Sequence, residues 1–210
     1  MFDDDEMPVD ALFRTETQMP PLERMALHLC KGKVLDVGAG AGCHTLTLEA
    51  RGMEVTSIDI SPLSTETRRQ RGAKHALCAD FFTDELGSDD FDTILLLMNG
   101  LGIAGTLAKL PTLLNRCKEL LADGGQVIAD SSDIKYLFEE EDGSYCFPDT
   151  NTYYGEVDYQ MIYGKTKRKP FNWLYVDFDT LAHVAKACGM KAEKIADGKH
   201  FDYLTKITMA

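Results

Sequence analysis

The chain has 210 residues, with 22 Lys and Arg against 34 Asp and Glu, so its formal net charge is −12. A negative field of this size argues against a protein that mainly binds nucleic acid or an anionic membrane, because both require a positive surface. Apolar residues at 44% and charged residues at 27% are ordinary for a folded protein and exclude a disordered or fibrous chain. The length favours a single domain over residues 1–210.

The N-terminal composition and the cysteines predict a cytoplasmic protein. The chain begins with an acidic segment instead of the basic start of a signal peptide. Its longest apolar run, Ile94 to Met98, is far shorter than the roughly 20 residues that span a bilayer. The six cysteines lack the C-x-x-C spacing of a zinc site and the five histidines are scattered, so we expect reduced thiols and no metal.

Short apolar runs alternate with helical periodicity along most of the chain, which is typical of a parallel sheet covered on both faces. Residues 1–30 are predicted to form an N-terminal segment that ends in a first helix. The run 92–97 is the most apolar, so it is expected at the centre of the sheet. In chain order, strands are predicted at 34–37, 54–58, 75–78, 92–97, 126–130, 191–195 and 201–208, with helices near 22–29, 46–50, 62–72, 110–121 and 178–188.

Residues 141–176 interrupt this alternation and are predicted to form an inserted β-hairpin. Its extended runs, 154–163 and 171–176, flank a turn with four basic residues, which we interpret as a solvated hairpin tip. A two-stranded hairpin is marginally stable unless its apolar face is covered. The aromatic side chains of the hairpin are therefore expected either to cover a substrate pocket or to pair with a second subunit in a homodimer.

The first strand, the glycine-rich turn after it and the second strand form the pattern of a nucleotide-type site. Glycines at 38, 40 and 42 let the backbone pass close to a ligand, and the helix that follows offers free N–H groups. Asp59 ends the second strand 21 residues after Gly38, at the distance where an acid accepts the hydroxyls of a ribose.

Two residues separate the candidate cofactors of such a site. The dinucleotide pattern G-x-G-x-x-G requires a glycine at position 43, which is Cys43 in this chain. Asp36 lies two residues before Gly38, where a dinucleotide turn usually has an apolar residue. An acid there suits a ligand with a positively charged end. Both residues disfavour a nicotinamide-dependent oxidoreductase of Rossmann type, which is kept as an alternative hypothesis.

The segment 34–42 reads VLDVGAGAG and resembles the first motif of the class I S-adenosylmethionine-dependent methyltransferases. The resemblance implies an α/β fold, a Rossmann-like open seven-stranded sheet that is mostly parallel with an antiparallel last strand and has helices on both faces. It also implies S-adenosylmethionine as the cofactor and methyl transfer by in-line displacement; a non-catalytic scaffold that binds the same cofactor is a second alternative. The resemblance is close over residues 30–130 and loose over 177–208, and its further motifs are at 55–61, 78–81, 91–94 and 120–125.

The resemblance gives each matching position a role in binding the cofactor. Gly38, Gly40 and Gly42 would surround its methionine and ribose portions. Asp36 would brace the turn and face the ammonium group, and Asp59 would bind the ribose.

The adenine and methionine ends have their own candidates. Ile60 would pack on the adenine ring, Asp80 and Phe81 would contact its edge, and Asn99 would lie near the transferable methyl group. No catalytic residue is identified, because alignment and a dry pocket supply most of the acceleration of such a displacement. Two residues are expected at the mouth of the substrate site, Ser131 and Tyr154.

The acceptor is expected to be a small molecule. Nucleic-acid amino methyltransferases of this fold often carry Asn/Asp-Pro-Pro-aromatic after the central strand, whereas this chain reads NGLG at 99–102. Metal-dependent catechol-type enzymes require an acid at the same place, which Met98 and Asn99 do not supply. We therefore expect no nucleic-acid partner, no membrane and no bound metal.

Overall fold

A seven-stranded sheet forms the centre of the computed structural model, which describes residues 6–87, 90–147 and 152–210. The strands in chain order are β1 Lys33–Val37, β2 Glu54–Asp59, β3 His75–Cys78, β4 Phe91–Leu96, β5 Leu121–Ser132, β6 Glu156–Tyr159, β7 Ile162–Tyr163, β8 Thr166–Lys167, β9 Phe171–Leu174, β10 Met190–Asp197 and β11 Asp202–Met209.

Among the described residues, five α-helices flank the sheet, and local sequence explains where several of them begin. Pro62 starts α3 after Ser61, whose hydroxyl oxygen accepts the Ser64 N–H at 3.2 Å. Asp177 caps α5 by accepting the Thr180 N–H at 2.9 Å. The helices are α1 Pro21–Leu29, α2 Cys43–Ala50, α3 Pro62–Gln70, α4 Leu110–Leu120 and α5 Phe178–Ala187, with short 3₁₀ turns at Val9–Leu12, Glu16–Gln18, Gly100–Ala104, Leu107–Lys109 and Ile134–Phe138.

The strand order of the sheet is β3-β2-β1-β4-β5-β11-β10. Strand β11 runs antiparallel to both of its neighbours, and the pairs among β1 to β5 are all parallel. This confirms the predicted mostly parallel sheet with an antiparallel last strand. Because parallel strands end at the same edge, the residues that follow β1, β2, β4 and β5 converge there.

Both faces of the sheet are buried. Leu35, Ile94 and Leu96 pack towards α4 and α5, whereas Val34 and Leu95 belong to the apolar cluster that includes α1 and α2. The predicted apolar stripe of α4 is core, since its side chains are inaccessible to solvent: Leu110, Leu113, Leu114, Cys117 and Leu120. Burial on both faces explains why the second half of β4, from Ile94, reads as a continuous apolar run.

The inserted hairpin is present, with shorter strands than predicted. Its long arms pair β6 with β9, and the tip pairs β7 with β8. The predicted continuous strand 154–163 is wrong in detail, because Gln160 and Met161 lie outside the ladders and interrupt it. No helix among residues 6–87, 90–147 and 152–210 is long and apolar enough to cross a membrane.

Candidate functional site

The glycine-rich turn joins β1 to α2, and part of its backbone is accessible at the carboxyl edge of the sheet. Gly38 and Gly40 have φ of +70° and +50°, and a Cβ atom at either would meet no protein atom within 4 Å. Gly42 is different, because a Cβ there would lie 2.9 Å from Cγ of Arg68 on α3. The turn therefore faces open space at its first two glycines and packs against α3 at its third.

A cavity of about 210 Å³ lies over this turn. Three separate parts of the chain close it: the N-terminal segment, the end of β4 and the inserted hairpin. Its lining includes Leu12, Asp36, the turn residues 38–41, Cys43, His44, Leu97, Met98, Gly100, Ile103 and Trp173. Among the predicted cofactor residues, Asp36, Gly38 and Gly40 line the cavity.

Asp59 connects the end of β2 to the glycine-rich turn. One carboxylate oxygen accepts the Gly40 N–H at 2.9 Å and the other accepts the Ser61 N–H at 2.8 Å. The guanidinium of Arg68 lies 3.9 Å from the first oxygen, and the Asp59 side chain keeps 14% of its surface exposed. Asp59 thus fixes the turn while presenting a partly accessible carboxylate, which is compatible with a hydroxyl ligand.

Asp36 lies almost fully buried in β1, where Thr45 Oγ1 donates a hydrogen bond of 2.5 Å to its carboxylate. Burial raises the pKa of Asp36, and the nearby charge of His44 and the bond from Thr45 oppose that shift. A cationic ligand group in the cavity would further stabilise the ionised carboxylate.

His44 continues a buried ionic chain that the sequence did not predict. Its Nε2 lies 2.9 Å from Glu23 on α1, and Glu23 accepts a 3.1 Å bond from Nε of Arg14. Burial disfavours the imidazolium, but contacts with Cys43, Glu23 and Asp36 outweigh it and raise the pKa of His44. Burial likewise opposes ionisation of Glu23, but hydrogen bonds from His44 and Arg14 lower its pKa overall. These ionic contacts connect the N-terminal segment to the cavity wall.

The residues predicted to contact adenine lie at the paired ends of β2 and β3, outside the cavity lining. Ile60 directly follows Asp59 and is 74% exposed, an unusual fraction for isoleucine. Asp80 accepts the Phe82 N–H at 2.8 Å. Phe81 is buried and its carbonyl accepts Nε of Arg116 at 3.1 Å. The structure therefore offers an exposed apolar side chain beside Asp59.

The turn after β4 is strained, and β5 holds it in place. Met98 and Asn99 have φ of 63° and 55°, which side-chain-bearing residues rarely adopt. The Met98 and Gly100 N–H groups each donate to the Asp130 carboxylate at 3.2 Å, and Ser132 Oγ donates to Asn99 Oδ1 at 2.9 Å. Burial raises the pKa of Asp130 to about 7, against the opposing Gly100 N–H. Asn99 is thus positioned next to the cavity residues Met98 and Gly100.

Asp130 is a residue that sequence reasoning missed. The signal that could have found it is an acid at the carboxyl end of a buried strand, the edge of the sheet where ligands bind.

Ser131 and Tyr154 lie outside the cavity lining. Ser131 is fully buried, and its Oγ accepts the Val176 N–H at 3.1 Å. The Tyr154 hydroxyl donates to Asp133 at 2.7 Å. The contacts of both residues connect β5 and the turn after it to the inserted segment.

The fold and the turn together define a Rossmann-like protein with a site for an adenosine-type ligand at the carboxyl edge of its sheet. The model of a methyltransferase domain family matches residues 34–125, which span β1 to the start of β5. A solved S-adenosylmethionine-dependent methyltransferase from Bacteroides fragilis is 51% identical, with a TM-score of 0.92 over 100% of this chain and 84% of that one. The chain belongs to the class I S-adenosylmethionine-dependent methyltransferase family, and S-adenosylmethionine is its cofactor.

More distant solved structures share the fold. The methyltransferase CcbJ from Streptomyces caelestis is 16% identical, with a TM-score of 0.68 over 98% of this chain and 100% of that one. The sugar N-methyltransferase KedS8 from Streptoalloteichus is 17% identical, with a TM-score of 0.64 over 100% of this chain and 96% of that one. No curated protein sequence matches the chain.

Proposed function

We propose that this methyltransferase transfers the methyl group to a small-molecule acceptor, and that the cofactor occupies the cavity over the glycine-rich turn. The observation that carries the proposal is the open space above Gly38 and Gly40, with the buried Asp36 carboxylate beside it. The Bacteroides fragilis relative was crystallised with S-adenosylhomocysteine, which supports the same ligand for this chain.

The residues of the site fit the chemistry of that cofactor. The Asp36 carboxylate suits the ammonium group, and the partly exposed Asp59 carboxylate suits the ribose hydroxyls. Gly38 and Gly40 leave the backbone free of side chains along the ligand, and Gly42 lets the turn pack closely against Arg68. On the adenine side we propose contacts from Ile60, Asp80 and Phe81, and at the methionine end a contact from Asn99.

When bound, the cofactor would supply a sulfonium methyl group, whose carbon–sulfur bond would break as the acceptor bonds to the methyl carbon, with S-adenosylhomocysteine as the leaving group. The protein orients the ligand through the glycine-rich turn and Asp59. It also excludes water from the cavity through the apolar side chains of Leu12, Ile103 and Trp173. We propose that Ser131 and Tyr154 support the wall of the acceptor site through their contacts with Val176 and Asp133.

Two features support a small acceptor rather than a nucleic acid. The net charge of −12 repels a phosphate backbone, and the basic residues of the inserted hairpin lie at its exposed tip. We also propose a single domain and a cytoplasmic location, which the six unpaired cysteines support.

Calorimetry with the intact chain tests the proposed function. S-adenosylhomocysteine should bind with one site per chain, and NAD should not bind, because Cys43 replaces the third glycine of a dinucleotide turn. Labelled S-adenosylmethionine with a small-molecule metabolite extract should then give a labelled product. Absence of S-adenosylhomocysteine binding at millimolar concentration would contradict the proposal.

Replacing Gly40 with alanine should weaken cofactor binding specifically. Gly40 and Gly52 both have positive φ and no protein atom within reach of an added Cβ, so Gly40→Ala and Gly52→Ala should each lose about 1–2 kcal/mol of stability. Only Gly40 lines the cavity, and overpacking there should reduce affinity for S-adenosylhomocysteine at least about tenfold. Calorimetry and thermal denaturation of the two variants provide the comparison; equal affinities would place the ligand elsewhere.

A further inference from the structure

Trp173 brings the inserted hairpin into the cavity over the glycine-rich turn. It is the only tryptophan of the chain, lies in β9 opposite Val157, and is half-buried. It lines the same cavity as Asp36 and Gly38, which precede it by more than 130 positions in the sequence. The hairpin is therefore part of the site, at least through this side chain.

The Trp173 indole packs directly against Gly102. A Cβ atom at Gly102 would lie 2.1 Å from Nε1 of Trp173, so even alanine could not be accommodated without moving the ring. The backbone of Gly102 is not left-handed, so close contact with the indole, and not an unusual conformation, requires glycine here. The rings of Phe171 and Trp173 are nearly perpendicular, with centroids 6.0 Å apart.

Hydrogen bonds join the two arms of the hairpin at its base and connect them to the 3₁₀ turn at Leu107 and to β5. A Glu156 carboxylate oxygen accepts the Leu107 N–H at 2.9 Å, and the Gly155 carbonyl accepts the Tyr175 N–H at 2.7 Å. Val176 donates its N–H to Ser131 of β5 at 3.1 Å. These bonds come from both ends of the hairpin, so Trp173 is held over the turn that follows β4.

Two parts of the cavity lining differ in chemistry. Backbone and the Asp36 carboxylate form the wall on the side of β1, whereas Leu12, Ile103 and Trp173 form an apolar and aromatic wall. Among the residues that the structure describes, the indole N–H donates to no acceptor, so it is free to bond a ligand. A wall of this kind binds the apolar or planar part of an organic molecule and leaves one donor for orientation.

We propose that Trp173 is the residue of this enzyme that contacts and selects the methyl acceptor, a small organic molecule with an apolar or planar face. The inference rests on the proposed function, because it takes the wall beside Asp36 to be the side of the cofactor. It assigns the inserted hairpin to the acceptor site instead of a subunit contact.

The single tryptophan gives a direct test through its fluorescence. Titration with S-adenosylhomocysteine should change the Trp173 emission with the same Kd as calorimetry, and S-adenosylmethionine should give a different final spectrum because it adds a charged methyl group. Adenosine, which lacks the methionine end, should leave the emission unchanged. Calorimetric binding of S-adenosylhomocysteine with unchanged emission would overturn the inference alone. Failure of calorimetric binding would instead remove the proposed function.

Variants separate contact with the acceptor from contact with the cofactor. Trp173→Ala should keep the Kd for S-adenosylhomocysteine within about threefold while labelled product from a metabolite extract falls at least about tenfold, with Trp173→Phe intermediate. Unchanged product yield and pattern in Trp173→Ala would contradict a role in selection.

A double-mutant cycle tests the contact between the indole and Gly102. Gly102→Ala alone should lower the Tm by at least about 2–4 °C, and this loss should disappear when Trp173→Ala is present as well. Additive Tm shifts would show that the two residues are not in contact, and would place the indole outside the cavity wall.

Discussion

Replacing Arg68 with alanine should destabilise the folded chain by about 3–5 kcal/mol. The guanidinium is fully buried between α3 and the glycine-rich turn. It donates to the carbonyls of Gly40 at 2.8 Å and Leu77 at 3.2 Å, and it lies 3.9 Å from the Asp59 carboxylate. Alanine would leave these oxygens without their donor and create a cavity under the turn, so two costs add.

Arg69 provides a matched control on the same helix. It is exposed and binds a single carbonyl, that of Ala76, at 2.9 Å, so Arg69→Ala should cost less than about 1 kcal/mol. Urea denaturation of both variants measures the difference. Arg68→Lys should recover only part of the lost stability, because an ammonium group cannot reproduce the planar set of donors of a guanidinium. Equal stabilities of Arg68→Ala and Arg69→Ala would show that the buried guanidinium does not support the turn.

Asp59→Ala should weaken binding of S-adenosylhomocysteine by about 1–3 kcal/mol, which is roughly 5–150-fold in Kd. The loss has two sources in the structure. The carboxylate is partly exposed to a ligand, and its oxygens also accept the N–H groups of Gly40 and Ser61. Calorimetry of the wild-type chain and the variant gives the total effect.

A ligand lacking the ribose 2′-hydroxyl separates these two sources. If Asp59 binds the ribose, the wild-type chain should bind the 2′-deoxy analogue of S-adenosylhomocysteine more weakly, whereas Asp59→Ala should bind both ligands alike. A similar loss from the deoxy analogue in both proteins would mean that Asp59 acts only through the turn. Asp59→Asn should lie between, since it keeps one acceptor oxygen.

Sequence reasoning predicted the sheet, the helices and the glycine-rich turn because local patterns determine them. Burial on both faces produces the apolar run of β4, and the positive φ of Gly38 and Gly40 requires residues without a side chain. The acid at the end of β2 follows from the same local unit. These features depend on neighbours within a few tens of residues, which a single sequence displays.

The contacts between distant segments could not be predicted in the same way. Glu23 contacts both Arg14 and His44 only after the N-terminal segment folds across α1, and Trp173 contacts Gly102 only after the hairpin docks. A buried charge such as Arg68 looks like any surface arginine in a polar helix. The break in the predicted strand 154–163 has a related cause, since alternation of side chains does not reveal where a ladder loses its partner.

The position of β11 determines when the sheet can be completed during folding. The strand lies between β5 and β10, so β5 has its outer partner only after residues 202–209 are available. During synthesis from the N-terminus, the hydrogen-bonding edge of β5 therefore remains open until β11 emerges, and β10 has no place in the sheet before then. Sequence-distant pairing of this kind slows folding, and strands β1 to β4 can pair before the open edge of β5 is covered.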